Sequence, residues 1–340
     1  MPLRDAIAID LGTTYAYAYS NKRGEVLREP SIVAYRKDSN RVVAAGLQAK
    51  RMLGRAPSFI DVVRPLQDGV VANFTATKGL ITYLMEAAMD GKRLLKPTVL
   101  LCTPHGATKV ENKALKQEAY RSGASKVMLV KEPFAGAIGA GLPVKEPRGS
   151  MLVDIGGGTS EVSLISLSDL VSCVSIKMAG NAMDKVIQDY FNQRYRFAIG
   201  ETTAEQIKID HGSVCPMEEE HTFELKGLDH TTMVPRKLVA STAEVREALE
   251  PIVQAIVQAI RESLETMPPE LANDVLSNGI MMVGGGACIS GWGKLIQEHT
   301  GVKVKIADEP LTCVIRGMIE ILHSPGDWRD VLINSDEEMG

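Results

Sequence analysis

What this chain lacks narrows its class before any motif is read. No uninterrupted apolar run approaches the roughly 18–20 residues a membrane span requires, so no span is expected. The opening Met-Pro-Leu-Arg reaches Asp10 too soon to hold the apolar core of a signal peptide. Only five cysteines are present (Cys102, Cys173, Cys215, Cys288 and Cys313), odd in number, scattered and without a CxxC pair. That argues against a disulfide framework or a zinc site and fits a reducing cytosol. There is no cationic surplus: 38 Lys and Arg face 42 Asp and Glu, for a net charge of −4. A nucleic-acid binder, whose usual footprint is a basic face, is not expected. Short solenoid periods are missing, as is any signal for a serine triad, a catalytic cysteine or a metal-bound histidine.

What is present is length enough for two lobes. At 340 residues, 45% of them hydrophobic, the chain exceeds one compact core. Ala6-Ile7-Ala8-Ile9 reads as a strand, Asp10 to Thr14 as a turn, and Tyr15 to Tyr19 as a second strand with a period of two. Residues 97–104 predict a buried strand, about 107–121 an amphipathic helix, 126–131 a strand and 133–141 a small-residue helix. Ser150 to Ile165 then repeats the opening device: apolar strand, Asp, apolar residue, glycine, hydroxyl residue, strand. Two copies point to halves related by duplication. Residues 242–267 predict a long helix. Ser241 and Glu244 have capping-box spacing, and Val245, Leu249, Ile252, Val253, Ile256, Val257, Ile260 and Leu264 form one apolar stripe. With fewer than four heptads, a core helix is favoured over a coiled-coil seam. A strand at 280–283 enters Gly284-Gly285-Gly286.

The glycine turns carry the chemistry. A phosphate needs backbone N–H donors that approach closely, which glycine permits, and hydroxyl side chains add further donors. Gly12, Thr13 and Thr14 form one such turn; Gly156, Gly157, Gly158 and Thr159 form the second. Each follows a carboxylate at a strand end, Asp10 and Asp154. Magnesium takes one or two carboxylates beside phosphate oxygens and keeps several waters, so the pair suits that ion, largely through water. A lone Asp-x-Gly is usually an ordinary β-turn, but two copies at equivalent positions are not easily read that way. Gly284, Gly285 and Gly286 offer a bare backbone against which a flat purine can lie.

Asp-Leu-Gly-Thr-Thr, Asp-Ile-Gly-Gly-Gly-Thr and Val-Gly-Gly-Gly-Ala, in that order, resemble the phosphate-1, phosphate-2 and adenosine motifs of the actin, sugar-kinase and heat-shock chaperone superfamily. Over nearly the whole chain the resemblance is to the bacterial actins MreB and MamK, through Glu132-Pro133 with Ala137 to Pro143, Thr203 to Lys208, and Pro310 to Gly317. It implies an α/β actin-like ATPase fold: two lobes, each with a duplicated RNase H-like core, and four subdomains. These are IA (1–31, 70–146 and 322–340), IB (32–69), IIA (147–180 and 249–321) and IIB (181–248). It also implies ATP/ADP and Mg²⁺ as ligands and weak ATP hydrolysis coupled to filament dynamics. Glu132 matches the residue that polarises the attacking water, and Thr159 the second-turn threonine beside the γ-phosphate or that water. Glu205 and Lys208 match positions that contact ribose and adenine; by spacing alone they are equally a solvated i,i+3 pair. Eukaryotic actin has a lysine in its first hairpin, whereas Tyr15 to Tyr19 contains none, a feature shared with MreB-type proteins.

Several short strings resemble MamK: Pro65 to Val70, Asn112 to Leu115, Glu132-Pro133-Phe134, Ala179-Gly180-Asn181 with Asp184, and Trp328-Arg329. They favour a MamK-like filament organising and positioning magnetosome organelles, with an MreB-type cell-shape filament guiding cell-wall synthesis as the alternative. The expected partner is the chain itself, in paired protofilaments, with adaptor proteins on a membrane or organelle and no nucleic acid. The expected place is the cytoplasm, as filaments along a membrane. The helix bearing Val110 matches the position used between paired protofilaments. Leu94 and Leu95, set among Lys92, Arg93 and Lys96, form a candidate contact with an anionic membrane, or else begin the strand leading to Val99. A reading of another class is a monomeric actin-fold ATPase. For a chaperone, the chain leaves no room for a substrate-binding domain; for a sugar kinase, no base or sugar-pocket motif is found.

Overall fold

The computed structural model describes residues 5–89 and 96–333. They fold into two compact units. The first draws on the stretch up to Arg148, on Ile165–Val171 and on the stretch from Leu311; the second comprises Gly149–Leu164 and Ser172–Pro310.

In the first unit a five-stranded sheet runs in the order Lys126–Lys131, Thr98–Thr103, Ala6–Leu11, Tyr15–Ser20, Val26–Pro30. Ala6–Leu11 pairs antiparallel with Tyr15–Ser20, Ile7 opposite Ser20, and parallel with Thr98–Thr103. Alternation sends Ile7, Ile9, Leu11, Ala16 and Ala18 into one core with Leu80, Ile81 and Leu84 of helix Phe74–Ala88. On the opposite face Tyr19 meets His323 of helix Cys313–His323. That helix crosses Glu132–Gly139 at backbone contact. A Cβ on Gly139 would strike the Cys313 carbonyl, and one on Gly317 the Ala135 carbonyl. Arg316 then donates to Gly139 O at 3.0 Å. The helix that starts with Glu132 is thereby fixed from behind. A three-stranded sheet (Val33–Arg36, Val42–Ala45, Ile60–Val63) completes this unit with the hairpin Leu66–Gln67/Val70–Val71.

The second unit repeats the plan. Its main sheet runs Asp169–Ile176, Ser160–Ser166, Ser150–Ile155, Ile280–Val283, Val304–Ile306. The expected long helix is Thr242–Glu265, with the Ser241/Glu244 capping box formed and Pro251 inside it. Its stripe from Val245 to Ile260 is buried in the unit's core beside Phe191, Phe197 and Trp292, so it is a core helix. Helices Gly180–Tyr195 and Glu201–His211 and a small sheet (Phe197–Ala198, Thr222–Asp229, Pro235–Ser241) flank it. No helix among the described residues is long and apolar enough to cross a membrane.

Candidate nucleotide-binding site

In the first unit, strand Ala6–Leu11 delivers Asp10, 8% exposed, to the mouth of the turn. Gly12 is required there, because a Cβ would lie 2.5 Å from Tyr15 O. Ser31, fully buried, ties the turn from behind. Its Oγ donates to Gly12 O at 2.6 Å and its N–H to Thr14 O at 2.9 Å. Gly69 N–H donates to Thr13 Oγ1 at 3.3 Å. Asp10, Glu132 and Cys102 converge, each offering a ligand atom within 4.8 Å of the others. Glu132 opens its helix with Pro133 following, where the missing N–H of proline costs nothing. The Asp10 carboxylate is an oxygen donor of the kind Mg²⁺ takes and the Cys102 thiol is not; the Glu132 carboxylate beside them is an acceptor for a water. Nearby, burial and the Lys131 ammonium push the His105 imidazole below its ordinary pKa, which favours its neutral form.

In the second unit, strand Ser150–Ile155 carries Asp154 into the turn, which closes through Gly156 N–H to Thr159 O at 3.0 Å. Two backbone amides at the start of helix Gly180–Tyr195 hold it: Gly180 N–H donates to Gly156 O at 3.1 Å and Asn181 N–H to Gly157 O at 2.8 Å. Ser160 Oγ donates to Met178 O at 2.6 Å. Burial pushes the Asp154 carboxyl up to about 6.

The triglycine turn packs on the same strand end. Gly284 has φ +83°, and a Cβ there would overlap Asp154 Oδ1 and lie 2.5 Å from Ile155 O. A Cβ on Gly286 would overlap the Ile155 side chain, while Gly286 O accepts from Trp292 Nε1 at 2.9 Å. The triglycine therefore backs the carboxylate of the second glycine turn, in addition to its expected role against a purine.

Lys208 is not part of a solvated pair. Its side chain is 13% exposed, its Nζ lies 2.7 Å from Asp184 Oδ1 on the neighbouring helix, and it donates to Gly180 O at 2.9 Å. Glu205 sits half-buried on the same helix. Burial outweighs Lys208 at Asp184 and, with Glu205 and Glu201 adding repulsion, lifts that carboxyl to about 6. Leu94 and Leu95 lie outside the described residues. Val110 is 77% exposed on helix Lys109–Arg121. Ser31, Cys102 and Asp184 carry no assigned site role in the sequence motifs. Ser31 and Asp184 support the turns from outside them. The signal for Cys102 was its position near the end of a strand parallel to the one bearing Asp10.

The profile of the MreB/Mbl protein family matches residues 4–329. The cell shape-determining protein MreB of Escherichia coli K12 is 43% identical over 316 residues, which covers 92% of this chain and 91% of that protein. The cell shape-determining protein Mbl of Bacillus subtilis 168 is 42% identical over 311 residues, covering 92% and 93%. The crystal structure of MreB5 of Spiroplasma citri bound to ADP aligns with a TM-score of 0.89 at 35% identity, over 99% of each chain. A MamK double helical filament aligns at TM-score 0.79 but only 23% identity, over 93% of this chain and 98% of that one, a likeness of fold alone. The magnetosome reading is overturned: the MamK-like strings are short and local, whereas the similarity to MreB and Mbl runs through the whole chain. The expected α/β actin-like fold stands.

Proposed function

This chain belongs to the MreB/Mbl family of bacterial actins, and from that premise we propose that it is an ATP-dependent, filament-forming cell-shape protein that guides cell-wall synthesis. One observation carries the reading: identity above 40% across more than nine-tenths of the chain to proteins named as cell shape-determining. Support for the nucleotide comes from the two glycine turns, each preceded by a carboxylate, and from MreB5 structures bound to ADP and to AMPPNP.

In this reading the amides and hydroxyls of Gly12, Thr13 and Thr14, and of Gly156, Gly157, Gly158 and Thr159, bind the phosphates. Gly284, Gly285 and Gly286, with Glu205, serve the adenosine side, while the Lys208 ammonium is held by Asp184 and the Gly180 carbonyl. Asp10 and Asp154 would hold Mg²⁺, largely through water, and that ion would supply positive charge to the phosphate oxygens. Glu132, fixed at the start of a clamped helix, accepts a proton-side hydrogen bond from a water and orients it in line with the γ-phosphate. Thr159, in the second turn, serves the γ-phosphate or that water. ATP favours the polymer-competent state only as far as it binds that state more tightly, and hydrolysis removes the difference. The expected partner is a second copy of the chain.

The test is phosphate release and high-speed sedimentation with Mg-ATP, for the wild type and Glu132→Ala. The variant should sediment like the wild type while releasing phosphate roughly a hundredfold more slowly, the scale of losing one general base. Wild-type phosphate release from the variant removes Glu132 from the mechanism. An ATPase that never sediments across salt and protein concentration is instead a monomeric enzyme on the same fold.

A further inference from the structure

Within the second unit a short relay of contacts runs from helix Glu201–His211 to the glycine turn. Lys208 Nζ pairs with Asp184 at 2.7 Å and donates to Gly180 O at 2.9 Å. A trans peptide sets its C=O and N–H on opposite edges of one plane. The plane whose oxygen takes the lysine's hydrogen bond therefore presents the Asn181 N–H on its far edge. That N–H donates to Gly157 O at 2.8 Å. The peptide of Gly157 in turn presents the Gly158 N–H on its own far edge, away from the helix. The preceding peptide is pinned the same way, by Gly180 N–H to Gly156 O at 3.1 Å, which sets the direction of Gly157 N–H.

The relay has little slack. The side chains of Lys208 and Asp184 are 13% and 9% exposed, so water screens the pair poorly. A Cβ on Gly180 would come within 3.2 Å of Gly156 O, 3.4 Å of Lys208 Nζ and 3.5 Å of Gly157 Cα. An ammonium has three donors and no acceptor, and here one faces a carboxylate and one a carbonyl. Successive hydrogen-bonded peptides polarise one another, so a cation at one end strengthens the donor at the other.

We propose that Asp184 and Lys208 are positioning residues that aim the Gly157 and Gly158 amides at the terminal phosphates of the nucleotide, acting through the Gly180–Asn181 peptide. This rests on the nucleotide-binding reading above. Without the Asp184 charge the ammonium is left unpaired in a shielded place; it turns outward, and the Gly180 carbonyl loses its donor. The consequence falls on the phosphate end of the ligand and spares the base.

The experiment is calorimetric titration of the full chain with Mg-ATP and, separately, with AMP, which lacks the phosphates the turn would grip. Asp184→Asn should weaken ATP roughly tenfold, as loss of an outer-shell partner does, and leave AMP within about twofold. Asp184→Glu should recover most of the ATP affinity. Asp184→Ser, which also removes the charge opposite Lys208, provides the same comparison where Asp184→Asn does not fold. Equal weakening of ATP and AMP would overturn the proposal, because the pair would then serve the base side or the fold at large. Unchanged affinity for both would overturn it too. A wild type that binds neither nucleotide fails at the prior step, the nucleotide reading itself, and the proposal goes with it.

Discussion

The two glycine turns share a motif but not a means of support. The first, after Asp10, is held by a side chain: the buried Ser31 hydroxyl on Gly12 O, with Gly69 N–H on Thr13. The second, after Asp154, is held by backbone amides of helix Gly180–Tyr195, with the Lys208–Asp184 pair behind them and Gly284 against the carboxylate. Duplication explains the strand–turn–strand device and not what stands behind it. The first turn is a tight hairpin held at a few points. The second is one end of a network that spans two helices and a third glycine turn.

That contrast can be broken in order of size. The largest effect should come from steric demand. Gly12→Ala places a Cβ 2.5 Å from Tyr15 O, whereas Gly156→Ala meets Thr159 O at 3.2 Å. The first should cost about 3 kcal/mol in urea denaturation and the second under about 1 kcal/mol. Equal costs would mean the two turns are equally tight.

Next comes a pH effect that marks the second turn. The Asp154 carboxyl is raised from 3.8 to about 6 by burial, so ionising it penalises the folded, nucleotide-free state. The penalty is full above about pH 6 and shrinks as pH falls from there. It vanishes below about 3.8, where folded and unfolded chains are both protonated. Asp154→Asn should therefore stabilise the nucleotide-free protein by about 2 kcal/mol at pH 7.5, a figure discounted for the residue's partial exposure. That gain should fade near pH 4, while Mg-nucleotide affinity drops in the same variant. A constant gain across pH would locate its cause in packing instead of charge. The smallest effect belongs to the first turn's tie: Ser31→Ala removes the 2.6 Å bond to Gly12 O and should cost about 1 kcal/mol, with a parallel loss of ATP affinity. No change in either would show that the backbone amides of Ser31 and Gly69 suffice.

Much of the fold was legible because it rests on periodicity. The apolar strand Ala6–Leu11, the alternation of Tyr15–Ser20, the stripe and capping box of Thr242–Glu265, and the strand before Gly284 are all local patterns, and all are present as expected. The turns were legible because glycine and a hydroxyl at a strand end are local as well. Their supports are long-range. Ser31 reaches Gly12 across 19 positions and Lys208 reaches Gly180 across 28, and no local pattern marks either. The same limit explains the magnetosome reading. Short strings such as Ala179-Gly180-Asn181 resemble one branch, yet in the fold Gly180 and Asn181 hold the second turn, a structural duty that does not depend on cargo.

The most direct test of the central claim is negative-stain electron microscopy of the purified chain with Mg-ATP, with Mg-ADP and without nucleotide. The account predicts filaments that depend on ATP and are lost or sparse in the other two conditions. Protein that binds ATP and remains monomeric at every salt and protein concentration would contradict it.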